Sequence, residues 1–194
     1  MQNSAYEESV NLTSSPSWES TSSLQFGCDK KSVNWFINHF LTPERGYTVC
    51  EITEEKDSTD ITAIKYGCML YSFELKQRYC FSNTFGDNVC EREKVVRAKD
   101  FANAYLITFY ADNVLYYNDL KTEKFKIEKH NINKTTCYSP NNKMVLKNLL
   151  SFQQKKTNEI CYTSSDIYTD EELKRSEVKH KKFHPDYVPT TTPF

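Results

Sequence analysis

With four glycines in 194 residues, the chain has no room for the glycine-rich loops that cradle phosphates. No GxSxG elbow and no nucleotide fingerprint occurs either. An excess of positive charge is also lacking. The 25 basic and 26 acidic residues leave a formal charge of −1, whereas a nucleic-acid binder needs a net basic face. No run approaches the roughly 18–20 apolar residues of a membrane span. Neither nucleic acid nor membrane is therefore an expected partner. Met1 is followed by the polar residues Gln2 to Ser4 with no apolar segment, so no signal peptide is visible. The chain reads as a mature sequence with a start methionine added for expression. The cysteines form no CxxC pair, which removes zinc ribbons and thioredoxin-type redox motifs.

What is present points first to an oxidising compartment. Seven cysteines at wide, irregular spacing (Cys28, Cys50, Cys68, Cys80, Cys90, Cys137 and Cys161) suit a disulfide framework of a secreted, extracellular protein. Two N-glycosylation sequons, at Asn11 and Asn133, agree with that reading. The odd count leaves one cysteine unpaired or bonded to another chain.

Along the chain, residues 1–25 are polar and read as a flexible arm. Val33, Trp35, Phe36, Ile37 and Phe40 form the first cluster expected to be buried. From Tyr47 to Lys129 β-formers dominate, with two glycines and no proline. Strands are expected at Tyr47–Thr53, Ile61–Leu75, Arg78–Phe85, Lys94–Ala98, Ala104–Tyr110, Val114–Asn118 and Glu123–Lys129. Short turns join them, so the fold class expected is mainly β: an up-and-down antiparallel barrel of about eight strands, closed so that no edge is left exposed. Ser139-Pro140 opens a segment with Val145, Leu146, Leu149, Leu150 and Phe152 at helical spacing, so an amphipathic helix is expected at about 140–156. The domain is placed at 26–165, and 166–194 reads as a mobile charged tail.

The buried entry cluster, the strand meander and a late helix between Cys137 and Cys161 resemble a lipocalin, in particular the tick salivary lipocalins of the histamine-binding group. Four features carry the resemblance: Val33 to Phe40 leading to Tyr47-Thr-Val-Cys50; the turn and long aromatic strand from Asp57 to Tyr71; Phe109-Tyr-Ala-Asp-Asn-Val-Leu-Tyr-Tyr117; and Asn131 to Cys137 before the helix. The resemblance implies a Cys50–Cys161 bridge. A family cysteine before Val114 is missing, and the other pairings stay open. Cys80 with Cys90 and Cys28 with Cys137 is one arrangement, with Cys68 left as the odd thiol.

A lumen that captures an amine needs aromatic faces and a carboxylate. The 27 aromatic residues concentrate on the strands, and Asp60, Glu74, Asp112 and Asp119 lie on or beside them; Glu74, in mid-strand, is the best acid candidate. The expected ligand-binding set is Trp35, Phe36, Tyr66, Tyr71, Phe73, Glu74, Tyr105, Phe109, Tyr117 and Asp119. With no acid facing inward, the same lumen suits a lipid. His180 and His184 have metal-ligand spacing, but their lysine-rich surroundings favour a solvated stretch, and disulfides account for the cysteines better than a nucleophile paired to His39 or His130. No catalytic residue, cofactor or metal is expected. The resemblance implies a monomeric, secreted scavenger of a small host mediator, an amine or a lipid. The alternative is an immune modulator that binds a host protein through its loops. A secreted hydrolase finds no residue set to support it.

Overall fold

A computed structural model describes residues 30–52, 60–85, 88–98, 100–133, 144–157 and 161–188, with backbone alone for 128–133 and 144–148. Helix α1 covers residues 30–39 and buries Trp35 and Phe36. Strands β1 (Tyr47–Ile52), β2 (Ile61–Lys65) and β3 (Met69–Arg78) follow, then β4 (Asn88–Glu91), α2 (Arg92–Ala98), β5 (Asn103–Tyr110), β6 (Leu115–Asp119), β7 (Phe125–Asn133), β8 (Met144–Phe152) and α3 (Asp170–Phe183). They form two open sheets, one of five strands in the order β1-β2-β3-β5-β6 and one of three in the order β4-β8-β7.

The expectation of a closed eight-stranded antiparallel barrel is corrected at the centre of the large sheet. There β3 and β5 pair in parallel, in register from Tyr71–Asn103 to Arg78–Tyr110. A parallel pair needs a crossover, and the segment between them supplies it as β4 and α2. The meander expected from short turns is therefore broken where Lys94 to Ala98 coils into a helix instead of extending. The lipocalin resemblance loses its basis with the barrel.

The region read as one long strand is a hairpin. Cys68 N–H donates to Lys65 C=O, and the two residues between, Tyr66 and Gly67, both have positive φ (51° and 72°). That is the backbone of a turn favoured between twisted strands, and only Gly67 adopts it without steric cost. The helix expected at 140–156 is strand β8, paired with β7 along its whole length and with β4 at its end. Its apolar residues satisfy either period in part. Two flanking ladders of backbone hydrogen bonds decide for the strand.

Residues 166–194 were expected to be a mobile tail, but much of the segment is packed. Tyr168 O–H is within hydrogen-bond distance of the carbonyls of Arg78 and Phe109, and just ahead of the segment Tyr162 O–H donates to Tyr110 C=O. Helix α3 begins at a capping box, with Thr169 Oγ1 accepting from Glu172 N–H and the Glu172 carboxylate accepting from Thr169 N–H. Thr169→Ala is expected to cost about 1 kcal/mol, read as a fall in chemical-denaturation midpoint with unchanged slope.

All five described cysteines, Cys50, Cys68, Cys80, Cys90 and Cys161, are free thiols, so neither Cys50–Cys161 nor Cys80–Cys90 is formed. Cys28, Cys137, Asn11 and the arm at 1–25 lie outside the described residues, and Asn133 ends β7.

The large sheet separates two cores. Along β3 and β5, Phe73, Leu75, Ile107 and Phe109 face α1 together with Ile167, Tyr168 and Leu173. The alternate residues Ala104 and Leu106 face the other way, toward α2 and the small sheet, through Cys90, Val95, Ala98, Leu150 and Phe152. A buried polar network crosses on this second side. Asn88 Nδ2 donates to Asn118 Oδ1, Asn88 and Thr108 are hydrogen-bonded side chain to side chain, and Asn118 Nδ2 donates to Gln153 C=O.

Candidate functional site: a carboxylate pair with two lysines

The alternation of β3 that sends Phe73 and Leu75 into the first core turns Glu74 and Lys76 to the opposite face, beneath α2. The β2–β3 ladder pairs Ile61 with Phe73, so Asp60, one residue earlier, stands across from Glu74. Asp60 is held in place by its own backbone N–H, which donates to Phe73 C=O, and by its Oδ2, which accepts from Leu75 N–H at 2.6 Å. Two carboxylates are thus fixed side by side at one end of a hairpin.

Glu74 is 1% exposed. Its Oε1 accepts from Lys76 Nζ at 2.7 Å and from Lys94 Nζ of α2 at 2.5 Å, while its Oε2 is buried without a hydrogen-bond partner. An orphaned carboxylate oxygen in the interior is costly, because burial removes the water that would otherwise satisfy it. The two lysines are about a quarter exposed (25% and 24%), so the cluster opens to solvent past them.

The electrostatics follow from this crowding. Burial first, and then the neighbouring Glu74 charge, push the Asp60 carboxyl up to about 6, against the pull of Lys94 and Lys76. Burial works against the Lys76 ammonium, but Glu74, Cys90 and Asp60 outweigh it and hold the lysine well above its usual range. Cys90, behind the cluster, is pushed up to about 12 by burial and by Glu74, so it is a neutral thiol and no nucleophile.

Of the residues expected to bind ligand, only Glu74 joins this cluster. Asp60, named among the strand acids, is its partner; Lys76 and Lys94 were missed. The signal was an acid at the mouth of a hairpin followed on its second strand by Glu-x-Lys, hidden because the hairpin was taken for one strand. Phe36, Tyr71, Phe73, Tyr105 and Tyr117 meet on the other side of the sheet, lining a single cavity. Trp35 and Phe109 are core residues, and the Trp35 Nε1–H donates to Asp166. Tyr66 is 67% exposed in its turn, and Asp119 caps a turn by accepting from Lys121 and Thr122 N–H. Asp112 accepts from the Ser82 backbone and hydroxyl. His180 and His184 do stack, at 4.5 Å, but His180 is buried against Phe81 and Thr84.

Among the described residues no group of three or more His, Cys, Asp or Glu is placed to hold a metal, and no helix is long and apolar enough to cross a membrane. The cluster instead fits a hard cation that takes few protein ligands. Two adjacent carboxylates, one with an unsatisfied oxygen, are the donor set for Mg²⁺ or Mn²⁺, which keep most of their coordination for water and substrate.

The open sheets leave no barrel lumen, and the scavenger expected from one is withdrawn with it, together with the host-protein binder on the same scaffold. No family model matches the chain, and no curated protein matches it. Among solved structures the chain is similar to Hjc, a Holliday junction resolvase from the archaeal hyperthermophile Archaeoglobus fulgidus, at 11% identity and a TM-score of 0.38, over 63% of this chain and 82% of that one. The expectation of a tick lipocalin is overturned by the open sheets and by the parallel β3–β5 pair at the centre of the larger one.

Proposed function

We propose that the chain is a divalent-metal-dependent phosphodiester hydrolase acting on nucleic acid. The observation that carries this reading is the Asp60–Glu74 pair on adjacent strands, with Lys76 two residues on and the Glu74 Oε2 left without a partner. Asp60 and Glu74 would hold the cation, which when bound supplies charge neutralisation and Lewis-acid polarisation of a phosphate oxygen.

The chain's own contributions are specific. Asp60 is fixed by the Leu75 N–H, so the carboxylates need no reorganisation to act together. Lys76, held as an ammonium, offers its charge to a phosphate whose negative charge grows during attack. Lys94 of α2 brings a second ammonium to the same Glu74 oxygen, so a phosphate approaching past the two lysines meets positive charge although the whole chain carries −1. The overall balance that argued against nucleic acid averages over this grouping.

The test is incubation of the purified chain with labelled single- and double-stranded DNA and RNA in Mg²⁺ or Mn²⁺. Cleavage is expected with metal and not with EDTA, and Lys76→Ala is expected to lower it by about a hundredfold or more while leaving metal-induced thermal stabilisation in place. A folded protein that neither cleaves any of these nor gains thermal stability from either ion would sink the proposal.

A further inference from the structure

The face of β3 opposite the carboxylates carries a second, separate feature. Tyr71 and Phe73 on β3 and Tyr105 on β5 line a cavity of about 240 Å³ with Tyr47, Lys65 and Tyr117 among its other walls. The three rings of β3 and β5 stand with nearly parallel planes: Tyr71 and Tyr105 at 6.1 Å and 11°, Phe73 and Tyr105 at 5.9 Å and 23°. Parallel pairing is the cause. It sets Phe73 directly beside Tyr105, with Tyr71 one pleat away on the same face. Tyr71 and Tyr105 are only partly buried, so this shelf is open to a ligand.

Among the described residues, Lys65 is the only charged side chain lining the cavity, and no carboxylate lines it. Its Nζ lies 4.7 Å from the centroid of the Tyr47 ring, and among the described residues it is paired with no acid. A cation backed by an aromatic face, with no counter-ion, is complementary to an anion. A flat apolar shelf beside it is complementary to a planar ring.

We propose that this cavity binds a planar aromatic molecule carrying one anionic group, the ring continuing the stack of Tyr71 and Tyr105 and the anion pairing with Lys65 Nζ. The hydroxyls of Tyr71, Tyr105 and Tyr117 can meet polar atoms on the ring edge. Mononucleotides and aromatic carboxylic acids share this chemistry. The site lies on the other face of β3 from Glu74, so it stands or falls independently of hydrolysis.

Isothermal titration calorimetry of the full chain tests it, in EDTA so that no metal at Asp60 and Glu74 contributes. The ligands are adenosine 5′-monophosphate and indole-3-acetate, with adenosine and inorganic phosphate as the half-ligands. At least one of the two aromatic anions is expected to bind with 1:1 stoichiometry and more tightly than either half-ligand. Lys65→Gln is expected to weaken it by about tenfold, as loss of a charged hydrogen bond does. Tyr105→Leu is expected to weaken it by about tenfold through lost stacking, and Lys181→Gln, at a residue that does not line the cavity, to leave it unchanged. Binding of the nucleotide alone identifies a nucleotide site, and binding of the indole acid alone identifies a carboxylic-acid site. Failure of folded protein to bind either, or binding indifferent to both Lys65→Gln and Tyr105→Leu, overturns the proposal.

Discussion

Glu74→Gln is expected to reduce metal-dependent cleavage at least about a hundredfold, since even the partners behind a metal's ligands are worth roughly 10–100-fold. The amide keeps the shape and can still accept from one lysine, but it cannot carry the charge that a hard cation requires. The same change also affects folding. Lys76 and Lys94 would face a neutral group, and breaking a fully buried pair costs about 3–5 kcal/mol. Here both lysines are about a quarter exposed (25% and 24%), so water offsets part of that loss. A fall in stability of about 1–3 kcal/mol is expected.

The double variant Glu74→Gln/Lys94→Met separates the two roles. Removing the second ammonium is expected to restore part of the melting temperature and none of the cleavage. Substantial cleavage by Glu74→Gln would mean that Glu74 serves the fold through its lysines and does not hold a metal.

Asp60→Asn is expected to stabilise the metal-free protein above pH 6. The sign follows from the direction of the shift. A carboxyl raised from 3.8 to about 6 in the folded protein favours folding while protonated. That contribution is complete below pH 3.8 and lost as the pH rises through about 6. At neutral pH the wild-type chain carries the whole penalty, on the order of 3 kcal/mol at about 1.4 kcal/mol per pH unit. Asparagine keeps an oxygen for the Leu75 N–H and never ionises, so its advantage should appear between pH 4 and 7 and vanish in acid. Mg²⁺ should raise the wild-type melting temperature at pH 7.5 and leave that of Asp60→Asn unmoved. Thermal melts across pH, with and without Mg²⁺, read both effects. An Asp60→Asn chain less stable than wild type throughout would make the cluster a structural ion network. Groups that destabilise the resting protein in this way gather where function requires them.

Several parts of this fold were present in the sequence in usable form. The aromatic run at Val33–Phe40 predicted a buried first element, and α1 buries Trp35 and Phe36 there. Glu74 stood out as an acid in mid-strand, and it is among the largest fully buried side chains. The Thr-Asp-Glu-Glu that opens α3 is a capping-box signature visible in four letters, though the charge of the segment as a whole suggests a tail. Likewise Tyr66-Gly67 marks a turn, but strong β-formers on both sides masked it.

Other parts could not be read locally. Val145 to Phe152 carries apolar residues compatible with a helix or a strand, and β4 and β7 on its two sides choose the strand. The parallel pairing of β3 with β5 joins residues about thirty apart in the chain, with nothing in either strand's composition to announce it. The barrel expectation failed at that pairing. The Cys50–Cys161 expectation came from the lipocalin resemblance and the secreted framework from the number and spacing of cysteines, and neither says whether two sulfurs meet.

By itself, then, the sequence determined which segments are apolar, where the strong turns and caps lie, and that Glu74 is an acid in a strand. Those are properties of near neighbours, set by backbone sterics and by the period of side chains along an element. Only the tertiary structure decided that Asp60 stands across from Glu74, that Lys94 descends from α2 onto the same oxygen, and that the aromatic residues collect on the far side of the sheet. These follow from strand register and crossover. A single residue's shift in register exchanges the two faces of a strand, and that register is chosen by the packing of both cores together.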